Sequence, residues 1–400
     1  MPRLTASRLL LLIFCIAFVC IVYYLPGPSE SDGVPRQDYG VIGDDKPDDD
    51  QFKLKEPRNN SQVKFLKLDD NAYALSAFTD ERNGNMGYKF VRVMMTITST
   101  ATFECIINGQ KSDTVSLYEF SENHMMTWQL FILNCKLPDG VDFHQVDAVE
   151  ISRNEQKNKV RVPISYRIRD EKSLTPDEYS VKMSICVPAL FGSAYDAKRI
   201  VEFLELNTLQ GINRVFIYYN PSEILDEKTL QTLDYYAKNG LLELVEFKLP
   251  FEASQIWYHG QLAAVTDCLL RNTGFARYTF FHDIDEFFVP VDPKLSLYET
   301  VSKLFEDPTV GSRRTSLKYI STKNRETPIT LNNIVSVKQL ENRFTKCVVR
   351  PEMIFEQSVP GSEMTEQGWV NPAGGGLEPV RSRTAAATTT DYTILPPRKE

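Results

Sequence analysis

Phe280 to Pro290 read FFHDIDEFFVP, and this stretch sets Asp283, Asp285 and Glu286 among aromatic and branched side chains. A buried carboxylate without a partner costs several kcal/mol or takes up a proton. Three of them in so apolar a run therefore hold a cation, or they lie at a strand end that opens into a cleft. The residues upstream decide which.

Working back from that stretch, short apolar runs alternate with helical patterns. MSICVPALF (183–191) reads as a buried strand. Asp196 can N-cap a helix with an apolar face of Ile200, Val201, Leu204 and Thr208, and Gly211 follows its end. RVFIYYN (214–220) is a second strand, and Leu230, Leu233 and Ala237 mark a second helix closed by Asn239-Gly240. LLELVEF (241–247) is a third strand, and Leu262, Val265 and Leu269 mark a third helix ending near Asn272 to Gly274. RYTFF (277–281) is a fourth strand that runs straight into the carboxylates. This β-α-β-α-β-α-β order predicts an α/β fold, a Rossmann-type, mostly parallel sheet with helices on both faces. Ligands bind such sheets beyond the carboxyl ends of the strands, which is where the carboxylates fall.

In an extended segment, residues i and i+2 point to one side, so Asp283 and Asp285 can approach one dication together. Their hard oxygens favour Mg²⁺, Mn²⁺ or Ca²⁺. A dication there would neutralise a departing diphosphate, as a nucleotide-sugar-dependent transferase requires. Solvated carboxylates on a loop are the plain alternative. Haloacid-dehalogenase-type hydrolases also use Asp-x-Asp, but after the first strand of the domain rather than the fourth.

The 400-residue chain has 42% hydrophobic residues and a net charge of −8. That is a globular composition without the basic stripe of a nucleic-acid binder, so no nucleic-acid partner is expected. Leu9 to Leu25 carry no charge, follow Arg3 and Arg8, and would span about 26 Å as a helix. Residues 1–8 are then a cytoplasmic tail, 9–25 a signal anchor, and the remainder is lumenal. The run ends in Tyr23, Tyr24 and Leu25 rather than small residues, which argues against a cleaved signal peptide. Residues 26–62 hold five prolines, nine acidic and five basic residues and read as a disordered stem, with a glycosylation sequon at Asn59.

Residues 63–170 read as strands: KFVRVMMTIT (89–98) and VRVPISYRIR (160–169) alternate with period two, and INGQ, PDG and RNGNMG supply turns. The expectation is a small antiparallel sandwich or sheet. Of seven cysteines, Cys15 and Cys20 lie in the anchor and five would be lumenal. Cys105 and Cys135 share the β-rich part and are the expected disulfide; pairing among Cys186, Cys268 and Cys347 stays open.

YTFFHDIDEFFVP (278–290), WYHGQLAAVTDCLLRNTG (257–274), the SICVPALFG and AKRIVEFLELNTLQGINRVFIYYN segments and ENRFTKCVVRPEMIFEQ (341–357) resemble glycosyltransferase family 92. The β-rich RNGNMGYKFVRV and SLYEFSENHMMTWQLFILNCKLPDG further resemble an invertebrate member that adds β1,4-linked galactose to the core fucose of N-glycans. The resemblance implies a GT-A fold over residues 180–357, a type II Golgi membrane protein, inversion at the anomeric carbon, UDP-galactose as donor, N-glycan acceptors, and Mn²⁺ as cofactor with Mg²⁺ as a possible substitute. It makes Asp283 and Asp285 the metal pair. Gln261, Asp267, Cys268 and Arg271 match the preceding helix, and Lys346 and Arg350 match later basic positions. Asp196 and Asn220 lie just after the first two strands, where a uracil or ribose would contact the sheet, and with Gln261, Lys346 and Arg350 they form the expected donor-binding set. Plainer roles stay open: capping for Asp196, surface charge for Lys346 and Arg350, and packing or capping for His259, which otherwise borders the cleft.

No general base is assigned; Glu286, Glu352 and Glu356 are the candidates. Beyond Gln357 the chain has Gly, Ala and Thr triplets and no hydrophobic periodicity, so residues 358–400 are expected to be a disordered, atypical tail. The resemblance implies histidine-containing segments there, yet His282 is the last histidine. We therefore expect an alternative or misjoined C-terminus that impairs activity. A glycan-binding or scaffolding protein of the same fold, without turnover, is the other reading.

Overall fold

The computed structural model describes residues 62–82, 89–153, 159–168, 175, 178–190, 195–220, 226–290, 292–317, 330, 341–357 and 392–394. The expected anchor at 9–25, the stem up to residue 61 with the Asn59 sequon, and most of the segment after Gln357 lie outside these residues. Among the described residues no helix is long and apolar enough to cross a membrane.

The N-terminal sheet runs, in spatial order, Gln110–Lys111, Phe103–Ile107, Ala148–Arg153, Val160–Ile168, Ala72–Asp80, Phe90–Ile97, Gln129–Lys136 and Val115–Glu119, with Leu66–Asp69 also paired to Ala72–Asp80. The Cys105–Cys135 disulfide joins strands near opposite ends of that order, so the sheet folds over on itself. It encloses Val91, Val93, Phe103, Ile107, Leu133, Val149 and Ile151. The sheet is not wholly antiparallel as expected, because Val160–Ile168 lies parallel to Ala72–Asp80. Val160–Ile168 also pairs antiparallel with Ala148–Arg153, which fixes its direction before it reaches the free edge of Ala72–Asp80.

The second sheet contains β1 (Gln62–Val63), β2 (Val181–Leu190), β3 (Arg214–Tyr219), β4 (Leu242–Phe247), β5 (Ala276–Phe281), β6 (Phe288–Pro290), β7 (Ser312–Leu317), β8 (Glu341–Val349) and β9 (Tyr392–Ile394). Its order is β1-β4-β3-β2-β5-β8-β7-β9-β6. Strands β2 to β5 are mutually parallel, so their carboxyl ends share one edge. Beyond β5 the sheet turns mixed, since β8 runs antiparallel to β5 and β7 antiparallel to β8. In the segment read as a tail, β9 pairs antiparallel with β6.

Helices α1 (Ala197–Leu209), α2 (Glu227–Lys238) and α4 (Leu297–Leu304) cover one face. Ile200, Phe203, Leu233 and Val301 pack there on Ile185, Val215, Ile217 and Phe280. Asp196 caps α1 by accepting from Arg199 N at 2.9 Å, Asp226 caps α2, and Ser296 with Glu299 forms a capping box on α4. On α1 the apolar face rotates from the expected one: Phe203 and Asn207 are buried, while Val201 is 38% exposed.

Helix α3 (Gln261–Asn272) covers the other face and is buried along its whole length after Gln261. The reason is a second cover. Leu75, Phe78, Met94, Leu130 and Ile132 of the N-terminal sheet share a core with Phe216, Tyr218, Val265, Leu269 and Phe281. The Cys186–Cys268 disulfide also ties α3 to β2. Gly260, in the left-handed region before α3, lies so close to Phe247 and Leu249 that a Cβ would meet their side chains at 3.1–3.3 Å.

Candidate functional site

The carboxylates follow β5 directly, but they do not continue as an extended strand. Asp283 to Glu286 close a turn in which Glu286 N donates to Asp283 O at 3.2 Å and Asp283 N donates to Glu286 Oε2 at 3.0 Å. The turn lets Ile284, Phe287 and Phe288 all enter the core under α1. It also adds Glu286 to the expected pair: Asp283, Asp285 and Glu286 each offer an oxygen within 4.8 Å of the others. Such a set of hard donors fits Mn²⁺ or Mg²⁺.

Lys346 answers the question of how the buried charge is tolerated. The Phe281–Cys347 register sets it beside the end of β5. Its Nζ lies 3.0 Å from both Asp283 Oδ2 and Glu286 Oε2, and its side chain is 4% exposed. Burial pushes the Glu286 carboxyl up to about 8, against the pull of Lys346, with Asp283 adding to the rise. Burial opposes the charge on Lys346, but the two carboxylates outweigh it and hold its pKa above the usual value.

Two neighbours escaped the sequence reading. Tyr195, in the loop after β2, is pushed up to about 12 by burial and then by the charges of Asp283 and Asp285. Its position one residue before the Asp196 cap was the available signal. His282 is buried against Phe203 and Phe288, its Nδ1 contacts Asp283 O at 3.0 Å, and its Nε2 has no partner among the described residues. Burial lowers its pKa to about 4, so the ring is neutral.

A cleft of about 210 Å³ opens at the carboxyl ends of β2, β3 and β4, lined among others by Leu190, Asn220, Lys248, Glu252 and His259. Asn220 and His259 therefore meet in one cleft. Gln261 is half-buried at the start of α3 and Asp196 is exposed at its cap; neither lines the cleft.

The remaining candidates go elsewhere. Arg350 lies four residues after Lys346 on the chain leaving β8, which runs antiparallel to β5, so it emerges toward the opposite end of the sheet. There it donates to the carbonyls of Phe305, Asp307 and Pro308 after α4, which corrects its expected place in the donor site. Glu352 accepts from Gly274 N at 3.1 Å, before β5 begins, and is removed as a candidate base. Glu356 is removed as well, because it accepts from Tyr118 and Ser121 of the N-terminal sheet. Asp267 is wholly buried, accepting from Tyr218 Oη at 2.6 Å, Ser76 Oγ at 3.0 Å and Arg271 Nε. Arg271 also reaches Glu243 at 3.1 Å and the Tyr166 hydroxyl. These two hold the sheets together and do not face the cleft. Cys347 is a free, buried thiol.

The profile of glycosyltransferase family 92 matches residues 181–377, taking in β2 to β8 and the first part of the segment after Gln357. A Caenorhabditis elegans protein named β-1,4-galactosyltransferase galt-1 is 56% identical over 367 residues, covering 90% of the chain and 86% of that protein. A second family 92 protein of C. elegans is 28% identical over 121 residues, covering 29% of the chain and 23% of that protein. Identity of this extent, with the matched profile centred on the carboxylate edge of the sheet, settles the family: the chain belongs to glycosyltransferase family 92.

Proposed function

We propose that the chain transfers galactose from UDP-galactose, with inversion, to a glycan acceptor, the fucose of the N-glycan core. The observation that carries this reading is the 56% identity over 90% of the chain to a protein named as a β-1,4-galactosyltransferase. In this reading Asp283 and Asp285 hold Mn²⁺, or Mg²⁺ in its place. The ion would supply positive charge to the diphosphate as it leaves. Asn220 and His259 line the cleft that receives the nucleoside, while Lys346 keeps the acid turn folded and places a second cation beside the same carboxylates. Glu286 alone of the three candidate bases stands at the site, and with Lys346 and the Asp283 N–H already on its Oε2 we assign no base. The apolar residues 9–25 would anchor the enzyme in the Golgi membrane as a single-pass type II protein.

The test is full-length protein in detergent with Mn²⁺, UDP-galactose and N-glycans with and without core fucose. We expect galactose transfer that requires fucose, stops with EDTA, and falls at least about a hundredfold in Asp285→Ala. A folded protein that binds the glycans but never transfers galactose would sink this reading. It would favour a glycan-binding protein of the same fold, to which the unusual Gly, Ala and Thr triplets after Gln357 already draw attention.

A further inference from the structure

Beyond the cleft, two loops meet edge to edge, one from each sheet. Trp128 N donates to Gln255 O at 2.9 Å, and the Trp128 ring stacks on Phe251 with centroids 4.3 Å apart. Asn123 bonds both the N–H and the carbonyl of Leu130, at 2.7 and 2.8 Å, and so locks the base of the first loop. On this fixed frame stand four non-glycine residues in the left-handed region: His124 (φ 49°), Met125 (φ 53°), Tyr258 (φ 44°) and His259 (φ 55°). Each is a costly conformation for an L-residue, and such residues persist where the surroundings impose them, often at ligand sites.

Three of the side chains these conformations present are aromatic, the fourth is a thioether, and all four are exposed. The His124 ring lies 4.0 Å from the Trp257 ring, and Tyr258 meets Trp257 edge-on at 5.0 Å. Met125 is 95% and Tyr258 51% exposed, among the few large apolar side chains left in solvent. The Trp257 indole N–H is buried and has no acceptor among the described residues. His259 belongs both to this rim and to the lining of the cleft, so the two are continuous.

We propose that His124, Met125, Trp257 and Tyr258 form a glycan subsite that seats a sugar ring of the acceptor at the mouth of the cleft. A sugar has an apolar C–H face and a rim of hydroxyls, which matches exposed aromatic and thioether surface beside the exposed His124 imidazole. Four side chains are too few for a stable protein interface, which takes about 800 Å² per partner. A nucleobase is better served by the enclosed cleft at Asn220 than by its outer rim. The subsite rests on the transferase reading in that its ligand is the acceptor of that reaction.

The test compares the full-length parent in detergent with Tyr258→Ala, Met125→Ser and the double variant, both exposed positions where folding is checked by the thermal unfolding midpoint. Binding of a fucose-bearing N-glycan core, without donor, is followed by tryptophan fluorescence; KM values are then measured separately for glycan and for UDP-galactose. The double variant should weaken glycan binding and raise the glycan KM about tenfold, with donor KM unchanged. Glycan binding and KM equal to the parent's would overturn the subsite while leaving galactose transfer intact. A rise in donor KM alone would assign the rim to the nucleotide and equally overturn it. Absence of transfer together with Tyr258-dependent glycan binding would uphold the subsite and remove the transferase reading instead.

Discussion

Replacing Lys346 by Met keeps the length of the side chain and removes its charge. Two contacts of 3.0 Å are lost, one to Glu286, whose side chain is 7% exposed, and one to Asp283, whose side chain is 40% exposed. Breaking a buried ion pair by removing one partner costs about 3–5 kcal/mol. The lower end applies here for two reasons. Asp283 is screened by solvent, and Glu286, whose carboxyl burial already pushes upward, can take a proton in place of its lost partner. A loss of about 3 kcal/mol corresponds to roughly 4 °C in the unfolding midpoint of a chain this size. In the proposed reading, the same substitution also takes away a cation that would compete with Mn²⁺ for Asp283. Mn²⁺ at a hundred times its Kd returns about 2.7 kcal/mol, so the ion should restore most of the variant's loss. The assay is thermal unfolding of parent and variant at neutral pH, titrated with Mn²⁺. A metal-free midpoint within about 1 °C of the parent's would refute the charge argument. A larger Mn²⁺ shift in the parent than in the variant would refute the competition.

Two further expectations concern buried ion pairs away from the acid turn. Arg271→Met leaves Asp267 and Glu243, both buried, without their guanidinium; we expect a loss of about 4 kcal/mol in urea unfolding, and a loss below about 1 kcal/mol would show that the pairing is dispensable. Asp80 is wholly buried, and although burial alone would raise its pKa, Arg82 and Arg92 outweigh that and hold it well below the usual carboxylate range. A carboxyl depressed in the folded state stabilises above its unfolded pKa, about 3.9, and loses that contribution as the pH falls through the folded value. The unfolding midpoint should therefore drop steeply below about pH 4, and Asp80→Asn, less stable at neutral pH, should show a flatter acid limb; parallel curves would exclude Asp80 as the cause.

The alternation of strands and helices was legible because each strand is a short apolar run and each helix shows an apolar stripe. Asp196, read as a cap, stands where its helix begins. Helix α3 was only half legible. Its expected stripe, Leu262, Val265 and Leu269, is buried, but so are Asp267, Arg271 and Asn272, which a periodicity reading leaves to solvent. Those polar residues are satisfied by Ser76, Tyr166, Tyr218, Ser184 and Glu243, and no local pattern announces partners that far away. The acid pair was legible as carboxylates at a strand end and misjudged as geometry. Spacing two suggests a strand, whereas the burial of Ile284, Phe287 and Phe288 requires a turn, and the turn recruits Glu286.

Lys346 and Arg350 show most plainly what a sequence withholds. Both are basic, four residues apart, and both were expected at the donor site. On a strand, four residues span about 13 Å, so one end of β8 cannot serve the same chemistry as the other. The direction of β8 then assigns the roles. Because β8 is antiparallel to β5, Cys347 faces Phe281 at the carboxyl end, which places Lys346 among the carboxylates, while Val349 faces Thr279 and carries Arg350 toward the amino end. Had β8 been parallel, the two cations would have exchanged ends. The same reversal brings Pro351 to Gln357 back across the N-terminal sheet, where Arg82 donates to Ile354 O at 2.9 Å and Arg92 lies over the Phe355 ring at 5.0 Å. Glu356 is thereby committed to holding the sheets together, and Glu352 to the backbone of Gly274, before any question of proton transfer arises. Strand direction is a property of the whole sheet, set by which edge is still free when the chain returns. Residue spacing alone does not encode it, and here it separates a site residue from a structural one.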